Sequence, residues 1–449
     1  ISSRYIYEHL FLGHLYFPDL DNRRFFNLVR SKTPPGEPVE LIATRRPYND
    51  PGVERVYYRL VEEVGTIVAK THMPYALDAA RMDHWREWFI DADYTVTKLP
   101  SYEEELASNP FVTFDDMPVR SRYSFLLDEA KFTINSFTKG PVCRGQVALN
   151  VINDHFWVFF LDPDDAVLEA TEEFLAQEQD NMEMPASTES IYNPIGHWKR
   201  YSKQQKALTA SMDSYLTENF TDPRDISLDL VWDGDGVNDN AALTVFRHFD
   251  NATVEKGLIG QPPKTAWLIG YTLLERIHYL LVAGYDVFGN VGHQLVTRVY
   301  MDFLRMDGEA SFLLLLPKEA RDRERAYWYR EADDEVNDFM LLPSFESELV
   351  PAIDYKTNDQ KNELFGMLKE RLAPVLPALR DFTTIFDPAI AADLVPFLKL
   401  VGQAVTLMPQ SVFIEIKSDS GTSYATLVRN NAHLNITALC GEKKFRVPE

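Results

Sequence analysis

The stretch Lys139-Gly-Pro-Val-Cys-Arg-Gly-Gln-Val-Ala-Leu-Asn-Val-Ile-Asn-Asp-His155-Phe-Trp-Val-Phe-Phe160 sets a cysteine, an arginine, two asparagines and a histidine directly against an unbroken aromatic run. Gly140-Pro141 predicts a turn near its start, and the spacing of the residues that follow predicts a helix over 145–160. Polar groups this deep in apolar sequence need hydrogen-bond partners or a chemical task. We therefore expect residues 122–160 to form two helices in one core, with the aromatic run buried.

Periodicity elsewhere predicts a predominantly helical body with small β elements near the N-terminal part and at the C-terminus, an α+β class. A helix is expected to open the chain after Ser2-Ser3. Further helices are expected at about 76–89, 122–136, 164–179, 197–219, 265–283, 291–305 and 318–330. Strands are expected at 39–44, 53–60, 66–70, 228–232, 242–248, 412–417, 424–428 and 434–439.

The acidic stretch 177–193, which contains Met and Ser residues, is typical of a mobile linker. It divides the chain into an N-terminal α+β part, residues 1–190, which carries the segment from Cys143 to Phe160, and a mostly helical part, residues 191–449, which ends in a β meander. We expect the two parts to form one continuous catalytic body.

Composition narrows the class of protein. The 449 residues are 45% hydrophobic, which suffices for a sizeable core. The longest apolar runs fall far short of the roughly 20 residues that a membrane-spanning helix needs. With 45 basic against 68 acidic residues the net charge is −23, which argues against a nucleic-acid partner. For peripheral contact with phospholipid headgroups, the N-terminal part offers the better basic face: Arg23, Arg24, Arg30, Lys32, Arg45 and Arg46.

The short sequence motifs that usually identify a metal site are incomplete in this chain. Glu275-Arg-Ile-His278 has the ligand spacing of di-iron helix bundles, but the second copy that such a site needs is absent, so a structural role is favoured. The acidic loop that begins at Asp233 lacks the glycine and the final glutamate of a calcium loop. We therefore predict no metal site. His293 falls in the first turn of a predicted helix, where the helix dipole favours a neutral imidazole.

Several longer segments, together with the stretch that ends at Phe160, carry a family resemblance. They are Ile1-Ser-Ser-Arg-Tyr-Ile-Tyr-Glu-His-Leu10, Ile42-Ala-Thr-Arg-Arg-Pro-Tyr48, Ala69-Lys-Thr-His-Met-Pro-Tyr-Ala76, Asn240-Ala-Ala-Leu-Thr-Val-Phe-Arg-His248, Pro263-Lys-Thr-Ala-Trp267, Leu274-Glu-Arg-Ile-His-Tyr-Leu-Leu-Val-Ala-Gly284 and Gly289-Asn-Val-Gly-His-Gln294. In this order they resemble the membrane fatty acid cis/trans isomerase family, whose members are periplasmic haem proteins of Gram-negative bacteria. The resemblance covers nearly the whole chain.

The resemblance implies an isomerase that converts cis double bonds of unsaturated fatty acyl chains in membrane phospholipids to trans double bonds without a saturated intermediate. It also implies a periplasmic location and a c-type haem, whose ferric iron withdraws electron density from the double bond. The attachment motif Cys-x-x-Cys-His is absent here, because Arg-Gly-Gln follows Cys143 and Gly-Glu-Lys follows Cys440. We therefore expect a fragment without the N-terminal region that holds haem c in the complete protein.

Polar residues inside the family-like segments are the candidate site. We expect catalytic roles for His155, His293, Cys143 and Arg144. For the substrate or haem pocket we expect Asn150, Asn153, His72 and Tyr75. A helix would separate the Cα atoms of Cys143 and His155 by about 18 Å, so they are not expected to act as a dyad on one straight helix.

Two other functions stay open at this stage. A different haem-dependent enzyme that oxidises lipids would use the same cofactor and pocket, and its consumption of oxygen would distinguish it from an isomerase. A non-enzymatic lipid-binding protein of the envelope would bind acyl chains without changing their geometry.

Overall fold

A computed structural model describes residues 1–20, 24–67, 72–139, 151–152, 155–164, 172–185, 194–220, 226–247, 252–280, 291–329, 349–376, 411–418, 421–430 and 435–440. The helices in this part of the chain are α1 (Ser2–Leu10), α2 (Ala79–Arg86), α3 (Glu104–Ala107), α4 (Pro110–Thr113), α5 (Val119–Asp128), α6 (Ala130–Lys139), α7 (Glu172–Glu178), α8 (Pro194–Asn219), α9 (Tyr271–His278), α10 (Val291–Leu313), α11 (Lys318–Tyr329) and α12 (Gln360–Leu372). A π-helical turn, Glu87–Asp91, continues α2. Strands complete an α+β fold, which confirms the predicted class.

The first sheet has the strand order β3-β2-β1-β4 and is formed by β1 (His14–Tyr16), β2 (Phe26–Ser31), β3 (Tyr57–Glu62) and β4 (Pro74–Ala76). The β2–β3 pair is antiparallel, whereas β1 runs parallel to β4 and pairs Leu15 with Tyr75. The predicted strand 39–44 is reduced to a single bridge between Ser31 and Leu41. Of the strands in this sheet, β2 packs against α1.

The second sheet has the order β7-β6-β5-β8 and is formed by β5 (His155–Phe160), β6 (Ala242–Arg247), β7 (Ala252–Lys256) and β8 (Ala266–Ile269). The prediction of a helix over 145–160 is wrong for β5, although all six residues are buried as expected. A short, continuous apolar run suits a strand covered on both faces as well as it suits a buried helix. Here β5 is central, antiparallel to β6 and parallel to β8, which fixes it as a strand.

Two other boundaries differ from the prediction for the same reason. The expected helix 265–283 begins with the buried strand β8, and α9 starts only after Gly270. The expected strand 228–232 is a 3-10 turn, Leu228–Leu230, followed by one bridge from Val231 to Leu161. Short apolar stretches without a clear period leave the choice to tertiary packing.

The long helices and the C-terminal meander follow the predicted pattern. Helix α8 has 26 residues and α10 has 23, and α10 packs on β8 and α8. Near the C-terminus β9 (Ser411–Ser418), β10 (Gly421–Asn430) and β11 (Asn435–Cys440) form an antiparallel meander, as expected. None of the described helices is long and apolar enough to cross a bilayer.

The core passes through the region expected to be a linker. One cluster of buried hydrophobic side chains extends from Tyr5 to Val375. Within the stretch 177–193, Met182 and Met184 are 0% and 5% exposed. The described part of this stretch is therefore packed against the core, because its methionines are core residues, and the prediction of a mobile linker is wrong there.

Candidate functional site

Five of the eight predicted site residues have side chains that lie outside the described part of the chain. Cys143, Arg144, Asn150 and Asn153 lie in the segments 140–150 and 153–154, beyond the described ranges. His293 lies in the first turn of α10, as expected, and only its backbone position is described. Their assignment to the site stays a prediction.

His155 lies at the start of β5 and is 6% exposed. Its Nε2 atom lies 2.9 Å from the carbonyl oxygen of Gln261. The ring packs so closely on Gly260 that a Cβ atom there would lie 3.1 Å from Nε2, and the φ angle of Gly260 is +88°. Both features require glycine at position 260. His155 is thus held in one orientation, and its catalytic role stays a prediction.

Tyr75 and His72 lie at the first sheet. Tyr75, on β4, is 2% exposed, and its ring packs edge-on against Phe132 at 5.2 Å. Burial raises the pKa of the Tyr75 hydroxyl, and the Arg81 guanidinium above the ring opposes that shift. The ring of His72 contacts Phe25 at 4.8 Å. Phe132 in turn lies 6.4 Å from the ring of His278, which brings Tyr75 to the border of a second group of polar residues.

That group is a set of polar side chains where α1 meets α9, and we call it the polar cluster. Each member is at most 1% exposed, except for Arg4 at 6%. Its members are Arg4, Tyr5, Glu8, His9, Glu275, His278 and Tyr279. They come from two of the family-like segments, 1–10 and 274–284, which are about 270 positions apart in the sequence. The fold therefore joins two segments that the sequence keeps separate.

Helical spacing explains why the polar residues of α1 lie on one face of that helix and those of α9 on another single face. Tyr5, Glu8 and His9 lie three and four positions apart, so they share one face of α1. Glu275, His278 and Tyr279 have the same spacing where α9 ends. All eight residues of α9 are buried, so its polar side chains must find partners on neighbouring elements.

His9 and Glu275 form the central pair. The Nδ1 atom of His9 lies 2.7 Å from the carbonyl oxygen of Tyr5, which only accepts, so Nδ1 carries a proton. Nε2 lies 2.7 Å from Oε1 of Glu275. Two lone pairs cannot face each other at that distance, so a second proton lies between the imidazole and the carboxylate. The pair is electrically neutral as a unit, either as imidazolium and carboxylate or as imidazole and carboxylic acid.

Glu8 and the second oxygen of Glu275 complete the bonded part of the polar cluster. Glu8 accepts from Nε of Arg4 at 2.6 Å and from the hydroxyl of Tyr279. Tyr5 donates its hydroxyl to Oε2 of Glu275 at 2.8 Å. Burial, and then the charge of Glu275, raises the pKa of Tyr5, so this hydroxyl stays a donor. Both carboxylates are therefore satisfied, as buried charges must be.

His278 differs from these bonded residues. Its ring stacks on His9 at 4.5 Å with 20° between the planes. Neither ring nitrogen has a hydrogen-bond partner of normal geometry in the described ranges. Burial, and then the neighbouring His9, lowers the pKa of His278 far below its usual value, and the nearby backbone of Glu8 and His9 opposes this only in part. His278 is therefore a neutral, fully buried imidazole whose two ring nitrogens make no hydrogen bond of normal geometry to a described residue, with the backbone of Glu8 and His9 close by.

The sequence interpretation missed most of this arrangement. The spacing of Glu275 and His278 alone indicates at most half of a di-iron site. No group of three or more metal-ligating side chains occurs among the described residues. The signal that was available is the repetition of polar residues at helical spacing in two family-like segments. A single sequence does not reveal that the two helices meet.

The expected haem does not fit covalently into these residues. Covalent attachment of a c-type haem requires Cys-x-x-Cys-His, and neither cysteine of this chain stands in that motif. We derive no step of the reaction through a haem from these residues.

The expected basic face is smaller than the sequence indicated. Arg30 and Arg46 are 2% and 9% exposed, so they are not available to headgroups. Arg30 donates to the carbonyl of Asn49 at 2.8 Å and to the hydroxyl of Thr44. Arg24, Lys32 and Arg45 are exposed. A buried arginine that satisfies backbone oxygens has a structural role.

Comparison with known proteins identifies the family. The family model described as Fatty acid cis/trans isomerase (CTI) matches residues 1–449, the whole chain. No curated protein and no solved structure matches the chain. The chain belongs to the fatty acid cis/trans isomerase family.

Proposed function

We propose that this member of the fatty acid cis/trans isomerase family converts cis double bonds of unsaturated fatty acyl chains in membrane phospholipids to trans double bonds, without a saturated intermediate. The family match over residues 1–449 carries this proposal. The structure adds one supporting observation: two of the segments that resemble the family meet in a single buried polar cluster. A shared site is the simplest reason for polar residues to occupy both segments.

Within this proposal the members of the polar cluster have different tasks. The bonded residues, from Arg4 to Glu275, hold α1 against α9 in one orientation. His278 contributes the unused donor and acceptor. Buried groups without partners cost free energy, on the order of 1–3 kcal/mol each, so their retention is typical of a functional role. His278 is therefore our candidate for the group that acts, and the others position it.

Rotation about the double bond of an acyl chain needs chemistry that the side chains of the polar cluster do not supply. A cis double bond turns only when its π-bond order falls for a moment, and no imidazole or carboxylate achieves that readily on an isolated alkene. We propose a c-type haem for the complete protein, attached outside residues 1–449, and a periplasmic location. These two proposals rest on family resemblance, and the cofactor would supply the electrophilic chemistry.

The test is to produce the complete protein in a bacterium that makes no trans fatty acids. Gas chromatography of the membrane fatty acids should show trans isomers that keep the chain length and double-bond position of their cis precursors. Consumption of oxygen in step with the loss of cis acids would instead identify a lipid-oxidising enzyme. Acyl chains that bind with unchanged geometry would identify a lipid-binding protein, and either result would contradict the proposal.

A second measurement tests the cofactor. Residues 1–449 produced with the machinery for export and haem attachment should show no covalent Soret absorption, because the attachment motif is absent. The complete protein should show it. A covalent haem signal on residues 1–449 alone would contradict this assignment.

A further inference from the structure

Arg122 differs from three other buried arginines in the described part of the chain. Arg4, Arg276 and Arg305 each hold a carboxylate, at 2.6, 2.8 and 2.7 Å. Arg122, on α5, is only 2% exposed, yet its Nε and Nη1 atoms have no hydrogen-bond partner of normal geometry among the described residues. A buried guanidinium without an anion is among the most costly groups that a protein can carry.

The polar cluster beside Arg122 does not neutralise this charge. Arg4 and Glu8 cancel each other, and the His9 and Glu275 pair is neutral because it shares a proton. His278 is neutral. Among the described residues of this neighbourhood one positive charge therefore remains, and it belongs to Arg122.

A second polar group without a partner lies directly against Arg122. The guanidinium carbon lies 5.0 Å from the ring centroid of Tyr271, and the Tyr271 hydroxyl is fully buried and makes no hydrogen bond of normal geometry to any residue that the structure describes. Burial raises the pKa of Tyr271 far above its usual value, so the hydroxyl keeps its proton and can donate. The guanidinium therefore contacts the Tyr271 ring, and the described acceptor near the Tyr271 hydroxyl, the Glu275 carboxylate, is already bonded to His9 and Tyr5.

The residues around Arg122 and Tyr271 favour an anionic group that is part of an otherwise apolar molecule. Tyr271 is the first residue of α9, whose N-terminus has no side-chain cap and adds a partial positive charge. The rings of Phe111 and Tyr123 pack edge-on against Tyr271 at 5.9 and 6.1 Å. Apolar walls around converging donors are the usual composition of a small-ligand site.

We propose that Arg122 and Tyr271 form a binding site for the single negative charge of a lipid substrate. The chemistry that they recognise is a monoanionic oxyanion at the end of an acyl chain: the carboxylate of an unesterified fatty acid or the phosphodiester of a phospholipid. This inference rests on the proposed function for the identity of the ligand as a lipid. The unpaired charge of Arg122, which motivates the inference, does not depend on the proposed function.

The experiment uses the purified complete protein and three probes, each below its critical micelle concentration: a cis-monounsaturated fatty acid, its uncharged methyl ester and a short-chain diacyl phospholipid with a phosphodiester as its only charge. Binding is measured by titration calorimetry, and thermal unfolding is followed with and without each probe. The variants are Arg122→Met, Tyr271→Phe and, as a matched control, Arg120→Met. Arg120 lies on the same helix but is 64% exposed and pairs with Asp164 at the surface.

The wild-type protein should bind at least one of the two anions more tightly than the methyl ester, and the preferred anion identifies the source of the charge. Arg122→Met should weaken binding of that anion about ten- to hundredfold, the effect of losing charge-assisted hydrogen bonds. Tyr271→Phe should weaken it several-fold, and Arg120→Met should leave it unchanged. Without any probe, Arg122→Met should melt at the same temperature as the wild type or higher, because an uncompensated buried charge is removed.

Three results would overturn the inference: no preference of the wild type for an anion over the ester, an anion preference that survives Arg122→Met, or a lower melting temperature of Arg122→Met without probe. The last would mean that Arg122 stabilises the fold. Gas chromatography of the fatty acids in the same samples tests the proposed isomerase function separately from the anion site at Arg122. If the anion binds through Arg122 but no trans acid forms, the proposed function fails and the site stands. If trans acid forms but Arg122→Met binds the anion normally, only the site fails.

Discussion

Two buried ionic regions flank helix α9, and they differ in how completely their charges are paired. On one side Arg276 donates to Asp307 and to Gln205, and farther along α10 Arg305 donates to Glu309, which also accepts from Tyr329. We call this region the paired network. On the other side the polar cluster and its neighbour Arg122 leave donors and acceptors unused. The Nη2 atom of Arg305 in the paired network also lacks a hydrogen bond among the described residues, but its charge is paired with Glu309, whereas neither His278 nor Arg122 has a partner of normal geometry.

Adjacent residues of α9 show the contrast directly. Glu275 faces His9 and Tyr5, and Arg276 faces α8 and α10. A change in the paired network should therefore reduce stability, and activity only as far as the fold is lost. A change in the polar cluster should reduce activity beyond its effect on stability. Each prediction below tests this difference.

The largest effect is expected for Glu309→Ala. The substitution leaves Arg305 buried without its main partner, and breaking such a pair costs on the order of 3–5 kcal/mol. Urea unfolding should show this loss, and isomerisation should fall only in proportion to the folded fraction. Lys98→Met is the matched control, because it breaks an exposed pair with Asp115 and should cost less than about 1 kcal/mol. Similar losses in the two variants would contradict the assignment of a structural role to the paired network.

An intermediate effect is expected for Glu275→Gln. The amide can still donate to Nε2 of His9 and accept from Tyr5, but the charge and the shared proton are lost. Hydrogen bonds to a charged group contribute about 1.5–3 kcal/mol and neutral ones about 0.5–1.5 kcal/mol, so the change should cost on the order of 1 kcal/mol of unfolding free energy. Activity per folded molecule should fall as well, which gas chromatography and urea unfolding of the same preparation would show. Full activity per folded molecule would remove Glu275 from the functional site.

A smaller effect is expected on the pH dependence of stability. The folded state holds the pKa of His278 well below the unfolded value of about 6.5, so the unfolded chain binds a proton that the folded protein does not. This contribution to stability is complete above pH 6.5 and is lost as the pH falls below it, at up to about 1.4 kcal/mol per pH unit. In His278→Phe the decline between pH 6.5 and 5 should be shallower than in the wild type. Parallel curves for the two proteins would show that His278 does not have the lowered pKa.

The sequence predicted the parts of the structure that local pattern determines. The amphipathic α8 and the alternating strands of the C-terminal meander were found near their observed bounds. The aromatic run of β5 was expected to be buried but was assigned to a helix, because only its neighbours β6 and β8 decide between strand and helix. The polar cluster was not predicted, since the pairing of α1 with α9 spans about 270 positions and leaves no local pattern.

The most direct test of the account is the ratio of trans to cis membrane fatty acids in cells that make the complete protein with His278→Phe. Phenylalanine keeps the ring that stacks on His9 and removes only the two unused nitrogen atoms, so the amount of folded protein should stay near wild type. His84→Phe, at a side chain that is 48% exposed, is the control and should keep the wild-type ratio. We expect at least about a tenfold fall in the rate of trans-acid formation for His278→Phe, equivalent to about 1.4 kcal/mol. A wild-type ratio in the His278→Phe cells would contradict the assignment of the functional site to the polar cluster.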